Sequence, residues 1–199
     1  MAKGANDVIL RDRLQFDIDA NGDTALVYGR IDLSDYTSIV ENKGLAIKEV
    51  RFQLRTGAAA TNGVWPNLMS DLTPAAFSAT YFESYLKVFA TTTAYELIED
   101  VGIASPNVLC VFEKQSTVIA DPPQGLLSVN AYEHMAGTPD LHPEGYDVVT
   151  DLLIGISLQN CTNDQLKSKT VEVDVMLIAE PKKITQKDLT QMLTQAQDL

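Results

Sequence analysis

In Val171-Glu172-Val173-Asp174-Val175-Met176-Leu177, every second residue is aliphatic and two of the three between them are acidic. Successive side chains of an extended chain point to opposite faces, so this stretch predicts a strand. Its buried face carries Val171, Val173, Val175 and Leu177, and its wet face Glu172 and Asp174. The same alternation recurs upstream. Val148, Leu152, Ile154, Ile156 and Leu158 line up, and Ala46, Val50, Phe52 and Leu54 oppose Glu49, Arg51, Gln53 and Arg55. Ala25, Val27, Gly29, Ile31 and Leu33 oppose Arg30 and Asp32, while Leu14, Phe16 and Ile18 open the series. One dry face and one wet face is the pattern of antiparallel sheets.

The middle of the chain is harder to read. Phe82, Leu86, Phe89, Ala90, Leu97 and Ile98 fit one helical face, but Thr91-Thr92-Thr93 and the aromatics before Ala90 favour a strand. Residues 107–119 and 125–132 read as two further strands, joined by a turn at Asp121-Pro122-Pro123-Gln124-Gly125. The expectation is an all-β antiparallel β-sandwich of about eight strands. It occupies residues 13–180, behind an N-terminal arm, 1–12, and ahead of a helical tail, 181–199. Two long irregular connections, 56–76 and 133–147, are where function is expected to sit.

The tail changes period. Thr185 is placed as an N-cap with Asp188 three residues on, and Ile184 and Leu189 as a hydrophobic staple. Leu189, Met192, Leu193 and Ala196 then form an apolar stripe at helical spacing. So short a helix is marginal alone and must bury that stripe, on its own domain or on a neighbouring subunit. Ile184, Leu189, Met192 and Leu193 are therefore the assembly candidates.

Composition narrows the function classes. The chain has 199 residues, 45% hydrophobic and 21% charged, with 15 Lys and Arg against 27 Asp and Glu, a net charge of -12. A surface that negative disfavours direct nucleic-acid binding, and Lys182-Lys183 is the only adjacent basic pair. No apolar run is long enough for a transmembrane helix, and residues 1–13 show no secretory signal, so synthesis in the cytoplasm is expected. Cys110 and Cys161, far apart in sequence, are expected to be reduced and buried.

Motifs for chemistry are sparse. Asp17, Asp19, Asn21 and Asp23 place oxygens at alternate positions around Gly22, as in the first half of a calcium loop. The twelfth position is Tyr28 where a bidentate Glu is needed, and a hairpin turn at Asn21-Gly22 accounts for the same residues. Calcium is thus the one cofactor candidate in the sequence, and no bound cofactor is expected. His134 and His142 accompany Glu133, Asp140 and Glu144 in the second long connection, but their spacing fits no compact metal pattern. Neither a nucleophile elbow nor a phosphate-cradling glycine motif is present, so the chain is not expected to be an enzyme. Trp65, the single tryptophan, is a candidate loop contact for a partner or sugar, or an anchor pinning its loop to the sheet.

From about Leu14 to Ala179, a β plan of uneven loops without an active-site motif resembles the single jelly-roll coat proteins of icosahedral viruses. That resemblance implies two packed sheets in Greek-key order, many copies per particle, and termini that bridge neighbours. It also implies a location in the virion, homo-oligomeric contacts and, in coats that package naked nucleic acid, a basic N-terminal arm. Here residues 1–13 hold Lys3, Arg11 and Arg13 against Asp7 and Asp12, so no basic arm is present to bind a genome. A shell facing a membrane, another capsid protein or a saline medium suits the charge better. The alternative expectation is a β-sandwich binding module that recognises a carbohydrate or cell surface through its long loops.

Overall fold

The computed structural model describes residues 6–57, 62–69, 81–121, 126–137 and 144–195. Among them are nine strands: β1 (Val8–Asp17), β2 (Thr24–Ile31), β3 (Lys43–Thr56), β4 (Tyr81–Thr91), β5 (Val108–Asp121), β6 (Leu126–Ala136), β7 (Tyr146–Val148), β8 (Leu152–Gln159) and β9 (Thr170–Lys183). A short helix, α1 (Gln186–Gln195), follows. The strands form two antiparallel sheets, ordered β1-β9-β3-β7 and β2-β8-β4-β5-β6.

The acidic-aliphatic stretch from Val171 to Leu177 is the centre of β9, held between β1 and β3. Val171, Val173, Val175 and Leu177 are all buried in one core cluster with Leu86, Val88, Ile154, Ile156 and Leu158 of the other sheet. The two sheets thus share one apolar core. Glu172 and Asp174 face outward to Arg13, whose Nε lies 2.6 Å from Asp174 and 3.6 Å from Glu172.

Four sequence expectations are corrected. β1 begins at Val8, so Val8–Asp12 of the expected arm are paired with β9. Asn21-Gly22 does not close a hairpin: β1 pairs with β9 and β2 with β8, so the turn carries the chain from one sheet to the other. In β3 the register to β9 shifts between Ile47 and Glu49. An extra residue at Lys48 flips the side-chain parity, so Leu45 and Ile47, not Ala46, join Val50 in the shared core. Ala25 and Val27 are exposed because β2 is an end strand with its own register shift between Thr24 and Val27.

The long connections also shrink. Glu133–Ala136 belong to β6 and Tyr146–Val148 form β7, so Val148 is separate from the β8 row. In the first connection, Leu68 is fully buried. Its carbonyl accepts from the N–H groups of Thr162 and Asn163 at 3.0 and 3.2 Å, tying that loop to the segment after β8. The strand reading of the middle holds as β4.

Candidate functional site

The acidic turn is a structural corner. Asp19 Oδ1 accepts from the backbone N–H groups of Asn21 and Asp23, each at 2.8 Å. The Asp23 N–H in particular, then those of Asn21 and Gly22, hold the Asp19 carboxyl below the usual carboxylate range. Asp23 Oδ1 accepts from Asn160 N–H at 2.6 Å, and Asp17 Oδ1 from the Thr170 hydroxyl at 2.5 Å. Asp19 and Asp23 therefore anchor backbone of the turn and of the segment after β8, and Asp17 the side chain of Thr170. Gly22, at φ +94°, packs so closely on Cys161 that a Cβ would stand 1.8 Å from its carbonyl oxygen. Among the described residues no group of three or more His, Cys, Asp and Glu side chains is arranged to hold a metal ion.

The tail forms the expected cap. The Thr185 hydroxyl accepts from Asp188 N–H at 3.2 Å and donates to Asp188 Oδ2 at 2.7 Å. Ile184 and Leu189 are buried with Val149, and Met192 packs against them. The staple is thus satisfied within the chain, and Ile184 and Leu189 present no apolar surface to a neighbour. The side chain of Leu193 lies outside the described residues. Within the chain the tail thus docks in cis through Ile184 and Leu189, with Met192 partly buried beside them.

Trp65 is 8% exposed and stacks on Phe16, ring centroids 6.3 Å apart at 29°. Its indole is an anchor between the first long loop and β1, and the loop-contact reading loses its contact residue. Both cysteines are free and buried. Burial pushes the Cys110 thiol up to about 12 and raises that of Cys161, so both stay protonated at neutral pH. His134 is on β6, stacked on Tyr132, while Asp140 and His142 lie outside the described residues and Glu144 is exposed.

The surface that stands out is one that sequence patterning passes over: the outer end of the second sheet. Among the described residues each sheet ends in two strands with one unpaired edge, and such edges invite pairing unless guarded. β1 carries Arg11, Asp12 and Arg13, β2 has a register shift, and β7 is three residues long. β6 is eleven residues long, without Pro, Lys or Arg, and its one acidic residue, Glu133, is already 2.6 Å from Lys114 Nζ. Val129 and Tyr132, on opposite faces of β6, are 44% and 55% exposed. The outer face beside β6 also holds a cleft of about 360 Å³ between Tyr85 and Tyr132. No family model matches the sequence, and no curated protein matches it significantly. No helix among the described residues is long and apolar enough to cross a membrane.

Proposed function

We propose that this chain is a jelly-roll coat subunit whose copies assemble into a closed viral shell. One observation carries the reading. β1 pairs with β9, β2 with β8, β3 with β7 and β4 with β5, as successive rungs of one antiparallel ribbon folded back on itself. Rolling such a ribbon so that alternate rungs fall in alternate sheets would give the orders β1-β9-β3-β7 and β2-β8-β4-β5, and the agreement of the observed strand orders with these supports the jelly-roll reading. Among the described strands, β6 alone lies outside the scheme.

In this reading β6 is the assembly strand, and its occupant is the same edge of a second copy. Subunits carrying -12 repel one another, so self-contact is favoured where charge is least. The β6 edge, with its lone carboxylate neutralised by Lys114, meets that condition. The role is structural, not catalytic, and the location is the virion. Direct genome binding is not part of it: Arg13, Arg30, Arg51 and Arg55 each pair with a carboxylate, as do Lys43, Lys48, Lys87 and Lys182.

Electron microscopy and light scattering of the purified full chain test the reading. Closed particles or symmetric rings of uniform size are expected. A chain that remains monomeric at high concentration, in both low and high salt, overturns it.

A further inference from the structure

We propose that the outer face of the second sheet binds a neutral or amino-bearing saccharide in the cleft between Tyr85 and Tyr132. Register builds the site. Gln159 lies opposite Tyr85, Tyr85 opposite Gln115, and Gln115 opposite Tyr132, so β8, β4, β5 and β6 contribute one row of alternating amides and phenols. Two strand spacings put the tyrosines about 9–10 Å apart along the row. The adjacent row reads Ser157, Lys87, Glu113 and His134. A line of aromatic platforms thus runs beside a line of hydroxyl, ammonium, carboxylate and imidazole groups.

Sugars need that combination. Their rings present an apolar C–H face, which stacks on an aromatic ring, and a rim of hydroxyls, which needs donors and acceptors together. A volume of about 360 Å³ is at the small end for a ligand pocket, suited to one or two sugar rings. Tyr85 and Tyr132 are 41% and 55% exposed, so ring surface is offered to solvent. Both are also oriented. Tyr85 bonds to Glu83, and Tyr132 stacks on His134 with centroids 6.0 Å apart at 18°. Gln115 Nε2 is held by Glu83 Oε1 at 2.9 Å, which turns its amide into a fixed part of the floor.

Charge selects among sugars. Lys87 Nζ donates to the Val101 carbonyl at 3.0 Å and lies 3.5 Å from Glu113, so its charge is already engaged. Glu99 adds a further carboxylate to the lining, and Lys114, its other cation, is already 2.6 Å from Glu133. Sialylated and sulfated glycans are repelled by that balance and by the -12 of the whole chain, whereas a neutral or ammonium-bearing sugar is not. The inference is independent of assembly, because the cleft lies within one chain.

The test is a printed array of neutral, amino-bearing, sialylated and sulfated glycans, followed by titration of the full chain with cellobiose and with chitosan disaccharide. Neutral or amino-bearing glycans are expected to be retained, and Tyr132→Ala to weaken binding about tenfold, the cost of one lost stacking platform. Val129→Ala, on the opposite face of the same strand, is expected to bind as the parent does, which separates loss of the platform from loss of β6. Preference for anionic glycans, binding unaffected in Tyr132→Ala, equal loss in Val129→Ala, or no retention of any glycan overturns the proposal.

Discussion

Gly155 of β8 lies directly beneath the ring of Phe89 of β4, so close that a Cβ on the glycine would stand 2.1 Å from Phe89 Cζ. The two residues are register partners on the outer face of the second sheet. There Phe89 is buried with Val101, Val108 and Val111 and meets Tyr28 edge-on, centroids 5.9 Å apart. A glycine in mid-strand weakens a sheet, and here the ring above supplies the missing contact. The segment after β4 can then fold back over the sheet and form one wall of the tyrosine cleft.

Gly155→Ala is therefore expected to destabilise by about 1–3 kcal/mol, because the ring must leave its place or the strands must part. Urea unfolding of the variant beside the parent checks this. An unchanged midpoint would mean that Phe89 swings aside without cost.

The capped tail makes a second prediction. Thr185→Ala removes the acceptor for Asp188 N–H and is expected to cost the helix about 1 kcal/mol. The change should appear as faster amide exchange in 186–195, with the β9 core still protected. Leu189→Ala should loosen the same segment by emptying the contact with Val149, yet leave any particles intact, since the staple closes within one chain. Loss of particles in Leu189→Ala would assign the tail to a neighbour.

The contrast between legible and illegible features has a physical pattern. The buried face of β9 is readable because Val171, Val173 and Val175 obey a local period, and the cap at Thr185 because its partner is three residues away. Asn21-Gly22 encodes a reversal but not which strand pairs on either side, so a corner between sheets reads as a hairpin. The extra residue at Lys48 is invisible for a similar reason: parity before and after it looks regular until β9 fixes the register. Tyr85, Gln115, Tyr132 and Gln159 have no local signature at all. Only strand pairing across the sheet brings them into one row.

Acid should weaken the fold through two carboxylates. The hydrogen bond from Arg13 holds Asp174 below the usual range, and the Asp23 N–H does the same for Asp19. A carboxyl with a depressed folded pKa adds stability that is present above its unfolded value, near 4, and is lost as pH falls through the folded value. Thermal unfolding followed from neutral pH down past that range should show a falling midpoint. Asp174→Asn should lower the neutral-pH midpoint by the equivalent of about 0.2–1 kcal/mol, as for a partly exposed pair, and flatten the acid slope. A slope identical to the parent's would place the acid sensitivity elsewhere.

Salt and a single lysine test the β6 edge together. At -12 per chain, long-range repulsion opposes contact between copies, and raising ionic strength from 0.01 M to 1 M shortens the screening length from about 30 Å to about 3 Å. Particle formation is therefore expected to rise with salt. Asn130→Lys puts a cation in the middle of the unguarded strand, with its side chain on the solvated face and outside the lining of the tyrosine cleft. Edge lysines block strand pairing because a second strand would have to desolvate them. The variant should keep the parent's unfolding midpoint within about 0.5 kcal/mol, as surface substitutions do, while scattering at high salt falls to the monomer value. Particles of unchanged size and yield in Asn130→Lys would remove β6 from the interface while leaving the shell reading intact, whereas a parent that never assembles removes both.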